Sequence, residues 1–279
     1  MSATRRVLMI EGSGKGPSSL RSQLESDGFE VESANSAAGA VRRVLQRAYD
    51  VVVTSPSTTA GDDIALAQYL QRIQPGLRTI VLASAATPED VIAALRTHVF
   101  ACFREPFDSA AIIAMINRIV TDADWRDGIS VLSARSDWIS LRVAARRLTA
   151  ERVVSFVGTL IKEPSDGGHD RLITAFREIL QNAIEHGAGF DPDKVVEVSA
   201  IRTARALVFH FRDPGPGFAL DDLPHAAISN PFDEPTAHLE VREARGMRPG
   251  GFGILMARSL VDEVIYNEFG NEVILIKYL

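Results

Sequence analysis

The sequence has 279 residues, of which 46% are hydrophobic and 24% are charged, and its formal net charge is −6. That composition is typical of a soluble globular protein with an apolar core, and the length allows about two domains. The acidic balance and the lack of a basic cluster exclude an electrostatic surface for nucleic acid or lipid, so we expect neither nucleic acid nor membrane as a partner.

The N-terminal MSATRR precedes no apolar stretch long enough for a signal peptide or a membrane span, which predicts a cytoplasmic protein. The one cysteine, Cys102, excludes an internal disulfide and fits a reducing compartment. Because it lies in the apolar run VFACF, we expect a buried thiol without a reactive role.

The first half of the chain alternates short apolar runs with amphipathic helical segments. Strands are predicted at 7–10, 29–33, 51–55, 79–84 and 99–103, and helices at 17–27, 36–48, 62–74, 87–97 and 108–121. Apolar strands that alternate with helices indicate a parallel sheet covered on both faces. We therefore predict an α/β doubly wound, five-stranded parallel sheet.

The second half has a different order of elements. A strand pair around 129–143 is followed by helices at 149–162 and 168–187, strands at 195–203 and 206–213, a Gly/Pro-rich stretch, a helix at 251–262 and strands at 264–268 and 272–279. Helices segregated from an antiparallel sheet predict an α+β sandwich. The polar residues 122–127 mark a boundary, so we assign domains to 1–121 and 135–279 and a linker to 122–134.

The stretch EILQNAIEH in the helix at 168–187 carries three polar residues on one stripe. Glu178, Asn182 and His186 recur every four residues, although the rest of the pattern is apolar. A solvated face and a built site both explain this pattern. His186 receives no role.

Two glycine motifs follow this helix. In DPGPGF, Asp213 ends an apolar strand, and Gly215 and Gly217 allow a ligand to approach the backbone closely. In PGGFG, Gly251 and Gly253 open a helix, where free N–H groups and the helix dipole favour phosphate. Taken alone, each motif is also explained as an ordinary turn or helix start.

Together, in this order, the three motifs resemble the GHKL ATPase superfamily with its Bergerat-type fold, and the closest likeness is to the anti-sigma-factor type of serine/threonine kinase. The resemblance covers about residues 135–279 and implies that ATP and Mg²⁺ bind. It implies that Asp213 contacts the adenine amino group, that Asn182 is a ligand of Mg²⁺ and that Glu178 is the general base. Residues 218–248 would form a lid over the phosphates, and whether Arg242, Arg245 and Arg248 reach them is left open.

The reaction implied is transfer of phosphate to a serine or threonine of a partner protein. A histidine kinase would need a phosphorylated histidine before the ATP site, and no histidine occurs between His98 and His169. The resemblance points to an anti-anti-sigma-like substrate, with a sigma factor as a second partner left open. An ATP-sensing scaffold without turnover and a slow ATPase are the alternatives, and a homodimer is left open.

The first half resembles a response-regulator receiver domain that lacks the residues for phosphorylation. Ser55 stands where the family has its phospho-accepting aspartate, and Glu105, before Pro106, stands where it has lysine. Glu11 is the one acidic residue after the first strand, and Ser84 matches the switch hydroxyl. We predict a non-phosphorylatable regulatory module, because a carboxylate nucleophile and a full set of magnesium ligands are missing.

Overall fold

The computed structural model describes residues 5–11, 18–121, 127–161, 168–218, 244 and 253–279. The chain forms two compact units. The N-terminal unit comprises residues 1–127 and 155–161, and the C-terminal unit comprises residues 128–154 and 162–279.

The N-terminal unit is built on a five-stranded sheet in which every neighbouring pair of strands is parallel. The strand order is β2-β1-β3-β4-β5. The strands are β1 (Arg6–Ile10), β2 (Glu30–Ala34), β3 (Val51–Val53), β4 (Arg78–Ala83) and β5 (Ala101–Arg104). The helices are α1 (Ser18–Ser26), α2 (Ala37–Gln46), α3 (Ala60–Ile73), α4 (Pro88–Arg96) and α5 (Ser109–Thr121).

The central strands of this sheet are apolar on both faces because helices cover both. Val51, Val52 and Val53 have no exposed surface, which matches the unbroken apolar run in the sequence. Side-chain caps fix where helices begin: Thr87 and Asp90 form a reciprocal capping box at the start of α4. The predicted doubly wound parallel sheet is confirmed.

The C-terminal unit is built on a six-stranded antiparallel sheet of order β10-β11-β9-β8-β7-β6. Its strands are β6 (Ile129–Arg135), β7 (Trp138–Ala144), β8 (Val195–Arg202), β9 (Ala206–Arg212), β10 (Glu263–Tyr266) and β11 (Glu272–Tyr278). Its helices are α7 (Gly168–Asn182), α8 (Gly253–Leu260) and the first part of α6 (Arg147–Leu160), whose residues from Ser155 on belong to the N-terminal unit.

The core of the C-terminal unit lies between α7 and one face of the sheet. Alternate residues of β8 and β9 are buried, as the period of two predicts for a sheet covered on one face. The ring of Phe176 in α7 meets those of Phe209 and Phe211, with centroids 5.2 Å and 5.0 Å away. The predicted α+β sandwich is confirmed.

The structure changes the predicted domain boundaries. Strand β6 begins at Ile129, inside the segment 122–134 that the sequence suggested as a linker, because this segment pairs along β7 from Ile129 to Arg135. The C-terminal unit therefore starts near Gly128, not at residue 135. Within the described part of the chain, no helix combines the length and the apolar character that crossing a bilayer requires.

Candidate functional site

Helix α7 changes its pitch directly after Asn182. Residues Ala183–Gly187 form a π-helical turn, in which Ala188 N donates to Ala183 O at 2.9 Å. Such turns are rare and occur often at functional sites, because they widen the helix and redirect its end. Glu178 and Asn182 are half-buried just before the turn, whereas His186 within it is exposed.

The start of α8 lies against the two polar residues of α7. A Cβ atom built onto Gly253 would be 2.9 Å from Glu178 Oε2 and 3.3 Å from Asn182 Nδ2. A side chain at this position would require Glu178 to shift, so glycine allows the α8 backbone to lie close to the carboxylate and the amide. Three predicted site residues, far apart in sequence, are therefore in one place.

Asp213 lies beyond the end of β9, at the other end of this region. Its Oδ1 accepts a hydrogen bond from Gly215 N at 2.8 Å, and its own N donates to Asn271 O at 3.0 Å. Burial raises the pKa of this carboxyl, and the hydrogen bond from Gly215 opposes that shift. A half-buried carboxylate held by backbone alone is a suitable acceptor for an amine of a ligand.

The π-helical turn ends directly on Asp213, a contact that depends on Gly187. A Cβ atom at Gly187 would be 2.2 Å from Asp213 Cγ, and one at Gly215 would be 2.7 Å from Gly187 O. Gly187 was not among the residues selected from sequence. In the sequence, Gly187 directly follows EILQNAIEH, and a glycine at that place normally indicates only the end of a helix.

The loop after Asp213 is braced from behind by the turn between β10 and β11. Gly217 (φ 77°) and Gly270 (φ 75°) both have left-handed backbone conformations, which glycine adopts without strain. A Cβ atom at Gly217 would be 1.7 Å from Phe269 O, so the two backbones touch at this point. Gly217 therefore has a structural role beside the predicted one, because it allows the turn to pack against the loop.

Asn267 holds that turn in shape. Its Oδ1 accepts hydrogen bonds from the backbone N of Gly270 at 2.8 Å, of Asn271 at 3.2 Å and of Glu272 at 3.2 Å. Asn271 Nδ2 in turn donates to Gly215 O at 3.4 Å, which links the turn to the DPGPGF loop. Sequence reasoning missed Asn267 and Asn271 because NEFGN reads as a plain turn between two strands.

A pair of aromatic side chains forms a further part of the region around Asp213. The rings of Phe218 and Tyr266 meet edge to face, with centroids 5.4 Å apart. Burial raises the pKa of Tyr266 to about 12, with Arg258 lowering it and Asp213 adding to the rise. The phenol is therefore neutral at physiological pH and adds an apolar surface beside a carboxylate.

The remaining predicted residues of this site are outside the described residues. These are Gly251, the arginines 242, 245 and 248, and most of the segment 218–248 that was interpreted as a lid.

In the N-terminal unit, the acidic side chain after β1 already has hydrogen-bond partners within the protein. Glu11 Oε1 accepts hydrogen bonds from Ser33 Oγ and from Arg21 Nη2, both at 2.8 Å, and these contacts lower the pKa of the carboxyl. Ser55 is 1% exposed, and its Oγ lies 2.8 Å from Ser57 Oγ. Ser84 and Glu105 are exposed. Arg21 was not anticipated from sequence.

A buried carboxyl lies beneath the Ser55 loop. Asp63 is 2% exposed, and burial raises its pKa to about 6. Thr58 Oγ1 lies 2.8 Å from Asp63 Oδ2 and 2.6 Å from Ser55 O. Burial is the largest influence on this pKa, and hydrogen bonds from the hydroxyl groups of Thr58 and Thr54 oppose it by lowering the pKa. Cys102, as expected, is buried, which raises the pKa of its thiol to about 12.

Comparison with known proteins also gives one match in each half of the chain. Residues 7–117 match the model of the response regulator receiver domain, and residues 141–277 match that of the histidine kinase-like ATPase domain. The transcriptional regulatory proteins GlrR of Escherichia coli K12 and QseF of Escherichia coli O157:H7 are each 28% identical over 167 residues, or 58% of this chain. The match covers 35% of each relative, so the chain spans about a third of their length.

Among solved structures, similarity is found to receiver proteins. A two-component response regulator from Clostridium difficile is 16% identical, with a TM-score of 0.40, over 44% of this chain and 100% of its own. A CheY-like receiver domain from Methanospirillum hungatei is 18% identical, with a TM-score of 0.39, over 43% of this chain and 96% of its own.

Proposed function

We propose a function from the premise that the chain joins an N-terminal response regulator receiver domain to a C-terminal histidine kinase-like ATPase domain. In this proposal the protein is a cytoplasmic signalling regulator that binds Mg-ATP and phosphorylates a partner protein on serine or threonine. The partner we propose is an anti-anti-sigma-like protein, with a sigma factor as a second candidate. The receiver would act as a regulatory module that is not itself phosphorylated.

The observation that carries the proposal is the approach of Gly253 to Glu178 and Asn182 at one end of a region that has Asp213 at its other end. Glu178 and Gly187 are nine residues apart along α7 and the π-helical turn that follows it, or about 13 Å at the rise of an α-helix. Since Gly187 touches Asp213, that span suits an elongated ligand with a base at one end and phosphates at the other.

Each residue would contribute through a group that it already presents. The carboxylate of Asp213 would accept a hydrogen bond from the adenine amino group beside Gly215 and Gly217. Backbone N–H groups at Gly251 and Gly253 would bind phosphate oxygens. The amide oxygen of Asn182 is a hard ligand of the type that magnesium prefers, and the ion, when bound, would offset phosphate charge.

Glu178 would act as the general base. Its carboxylate would take the proton from the attacking serine or threonine hydroxyl while the γ-phosphoryl group passes from ATP to that oxygen. The bond between the γ-phosphorus and the bridging oxygen breaks, and ADP leaves. Gly253 leaves the space beside this carboxylate free of a side chain, because a Cβ atom there would lie 2.9 Å from Oε2.

The proposed inactivity of the receiver rests on Glu11 and Ser55. Arg21 places a guanidinium at the carboxylate that would help to hold magnesium in an active receiver, and Ser55 offers no carboxylate nucleophile. Phosphoryl transfer to this unit is therefore not expected.

The test is nucleotide affinity, measured by calorimetry with Mg-ATP on the wild type and Asp213→Asn. Asp213→Asn should weaken binding about tenfold or more, since an amide presents a donor toward the adenine amino group. Asp193→Asn, at an exposed position of the same unit, serves as the matched control and should bind normally. Equal affinity in all three proteins, or none in the wild type, would contradict the ATP site.

Turnover is tested separately on a candidate substrate protein with Glu178→Ala and Glu178→Gln. Loss of transfer with retained ATP affinity supports the general base. ATP binding without any transfer would favour the scaffold without turnover, and phosphate release in the absence of a partner would favour the slow ATPase.

A further inference from the structure

The side of the C-terminal sheet that faces away from α7 carries a row of residues that is apolar on the four central strands and charged on the two edge strands. Residues paired in register lie on the same face, and this row runs from β10 to β6 through Glu263, Ile276, Val208, Ile201, Trp138 and Arg135. Trp138 is 47% exposed, and the three aliphatic side chains are partly exposed. A purely solvent-facing sheet surface is normally polar, so this row indicates a contact surface.

A second row, parallel to the first, alternates in charge. It runs across β11, β9, β8 and β7 through Glu272, Arg212, Glu197 and Arg142. Within the chain, Arg142 Nε already donates to Glu197 Oε1 at 3.1 Å, and His210 Nε2 lies 2.5 Å from Glu272 Oε1. We call the sheet face that carries these two rows the outer face.

Each row is complementary to the same row of a second copy whose strands run across the sheet in the reverse order. A two-fold axis parallel to the strands, between β8 and β9, places β10 over β6, β11 over β7 and β9 over β8 of a second copy. Glu272 then faces Arg142 and Arg212 faces Glu197, so every charge in the second row meets its opposite. In the first row, Glu263 faces Arg135, and apolar residues meet apolar residues between them.

The size of the outer face is sufficient for a stable contact. Five strand spacings of about 4.8 Å and seven residues of about 3.4 Å give a surface of about 24 by 24 Å. Two such faces bury on the order of 1,200 Å², which is the lower limit for a specific interface. Aligned face-to-face packing of two sheets is also a common arrangement in proteins.

We propose that the outer face is a homodimer interface, in which a second copy of this chain docks sheet to sheet with reversed strand order about a two-fold axis parallel to the strands. Such an isologous contact explains why the first row is apolar in the middle and oppositely charged at its ends, and why the second row alternates in charge. The proposal does not depend on nucleotide binding, so it stands or falls apart from the proposed function.

The first experiment is sedimentation velocity of the full chain over a concentration series. The wild type should dimerise, and Trp138→Glu should sediment as a monomer because it places a charge against the apolar row. Leu45→Glu, at a residue of α2 that is 66% exposed, is the matched control and should dimerise like the wild type. A monomeric wild type, or a Trp138→Glu protein that still dimerises, would overturn the proposal.

The second experiment tests the reversed strand order. Glu263 and Arg135 lie on opposite edge strands, too far apart to contact each other within one chain. Glu263→Arg and Arg135→Glu should each raise the dimer dissociation constant on the order of tenfold, since like charges then meet across the interface.

An equimolar mixture of these two variants should form a heterodimer with near wild-type affinity, because each edge again pairs opposite charges. The recovery also shows that both variants are folded. If the mixture is no tighter than either variant alone, the two-fold arrangement is wrong.

Discussion

Asp63 in the N-terminal unit and Asp213 in the C-terminal unit are two aspartates whose pKa burial raises, and they differ in what surrounds them. Asp63 is enclosed by hydroxyl groups of its own unit, with Thr58 Oγ1 at 2.8 Å. Asp213 is bounded by Gly187 and Gly215, whose lack of side chains leaves its carboxylate half-buried.

The difference shows how similar electrostatics serve two purposes. The carboxyl of Asp63 is buried and hydrogen-bonded to hydroxyl groups inside its unit, so its raised pKa affects the stability of the fold. At Asp213 the remaining acceptor capacity of the carboxylate is available to a ligand, so the same kind of shift is typical of a binding site. The environment, and not the direction of the pKa shift, separates a structural carboxyl from a functional one.

The largest expected effect is that of Gly187→Ala, which fills the space beside Asp213. The added Cβ atom would lie 2.2 Å from Asp213 Cγ, so the carboxylate or the π-helical turn must move. Overpacking of this kind costs about 1–3 kcal/mol of folding free energy. We also expect ATP affinity to fall at least about tenfold, since a 1.4 kcal/mol loss at the carboxylate is enough for that.

Thermal unfolding and ATP calorimetry measure the two effects of Gly187→Ala. Gly76→Ala is the matched control, because a Cβ atom there has no neighbour within 4 Å and the backbone φ is ordinary. A Gly187→Ala protein with wild-type affinity would mean that the contact between the turn and Asp213 has no part in ligand binding.

The secondary structure could be predicted closely from sequence because each element carries its own periodicity. Strand β8 was expected at 195–203 and is found at Val195–Arg202, where buried and exposed residues alternate. The strand pair expected around 129–143 is found as β6 and β7, but the domain boundary placed at residue 135 runs through β6. A domain boundary is harder to place than a strand, because it depends on which segments the strand pairs with.

The candidate site could be predicted only in part, because its geometry depends on contacts between distant segments. Glu178 and Asn182 were selected from their four-residue spacing, and Asp213 and Gly253 from their motifs; their roles stay predictions. Gly187 and Asn267 were missed, since their importance comes from atoms that lie far along the chain. The π-helical turn was also missed, because its sequence AIEHG has the same apolar pattern as an ordinary helix.

At Asp63 we expect an effect on the free energy of unfolding that depends on pH. The folded pKa of about 6 lies above the ordinary value of 3.8, so the folded state holds the proton more tightly. Its contribution to stability is therefore present at low pH and is lost as the pH rises from about 4 through about 6. A shift of about two units corresponds to about 3 kcal/mol as an upper limit.

Asp63→Asn imitates the protonated carboxyl and tests this sign. It should stabilise the N-terminal unit by about 1–3 kcal/mol at pH 7 and have little effect at pH 4, measured by chemical denaturation at both pH values. Glu25→Gln, at an exposed i,i+4 pair with Arg21, is the control and should change little at either pH. Equal effects of Asp63→Asn at the two pH values would contradict a raised pKa.

The smallest expected effect concerns the turn that braces the loop after Asp213. Asn267→Ala removes the oxygen that accepts three backbone N–H groups, at a cost of about 1–2 kcal/mol of folding free energy. Asn267→Asp keeps an oxygen acceptor at the same place and should retain most of that stability.

For the ATP site the two variants separate support of the loop from direct contact with the ligand. A few-fold loss of affinity in Asn267→Ala and near wild-type affinity in Asn267→Asp would show that the turn acts through the position of the backbone around Gly217. Equal losses in both would mean that the amide group itself reaches the ligand, and the site would then extend to the β10–β11 turn. Either outcome sharpens the contrast with Asp63, which is buried and hydrogen-bonded to hydroxyl groups of its own unit.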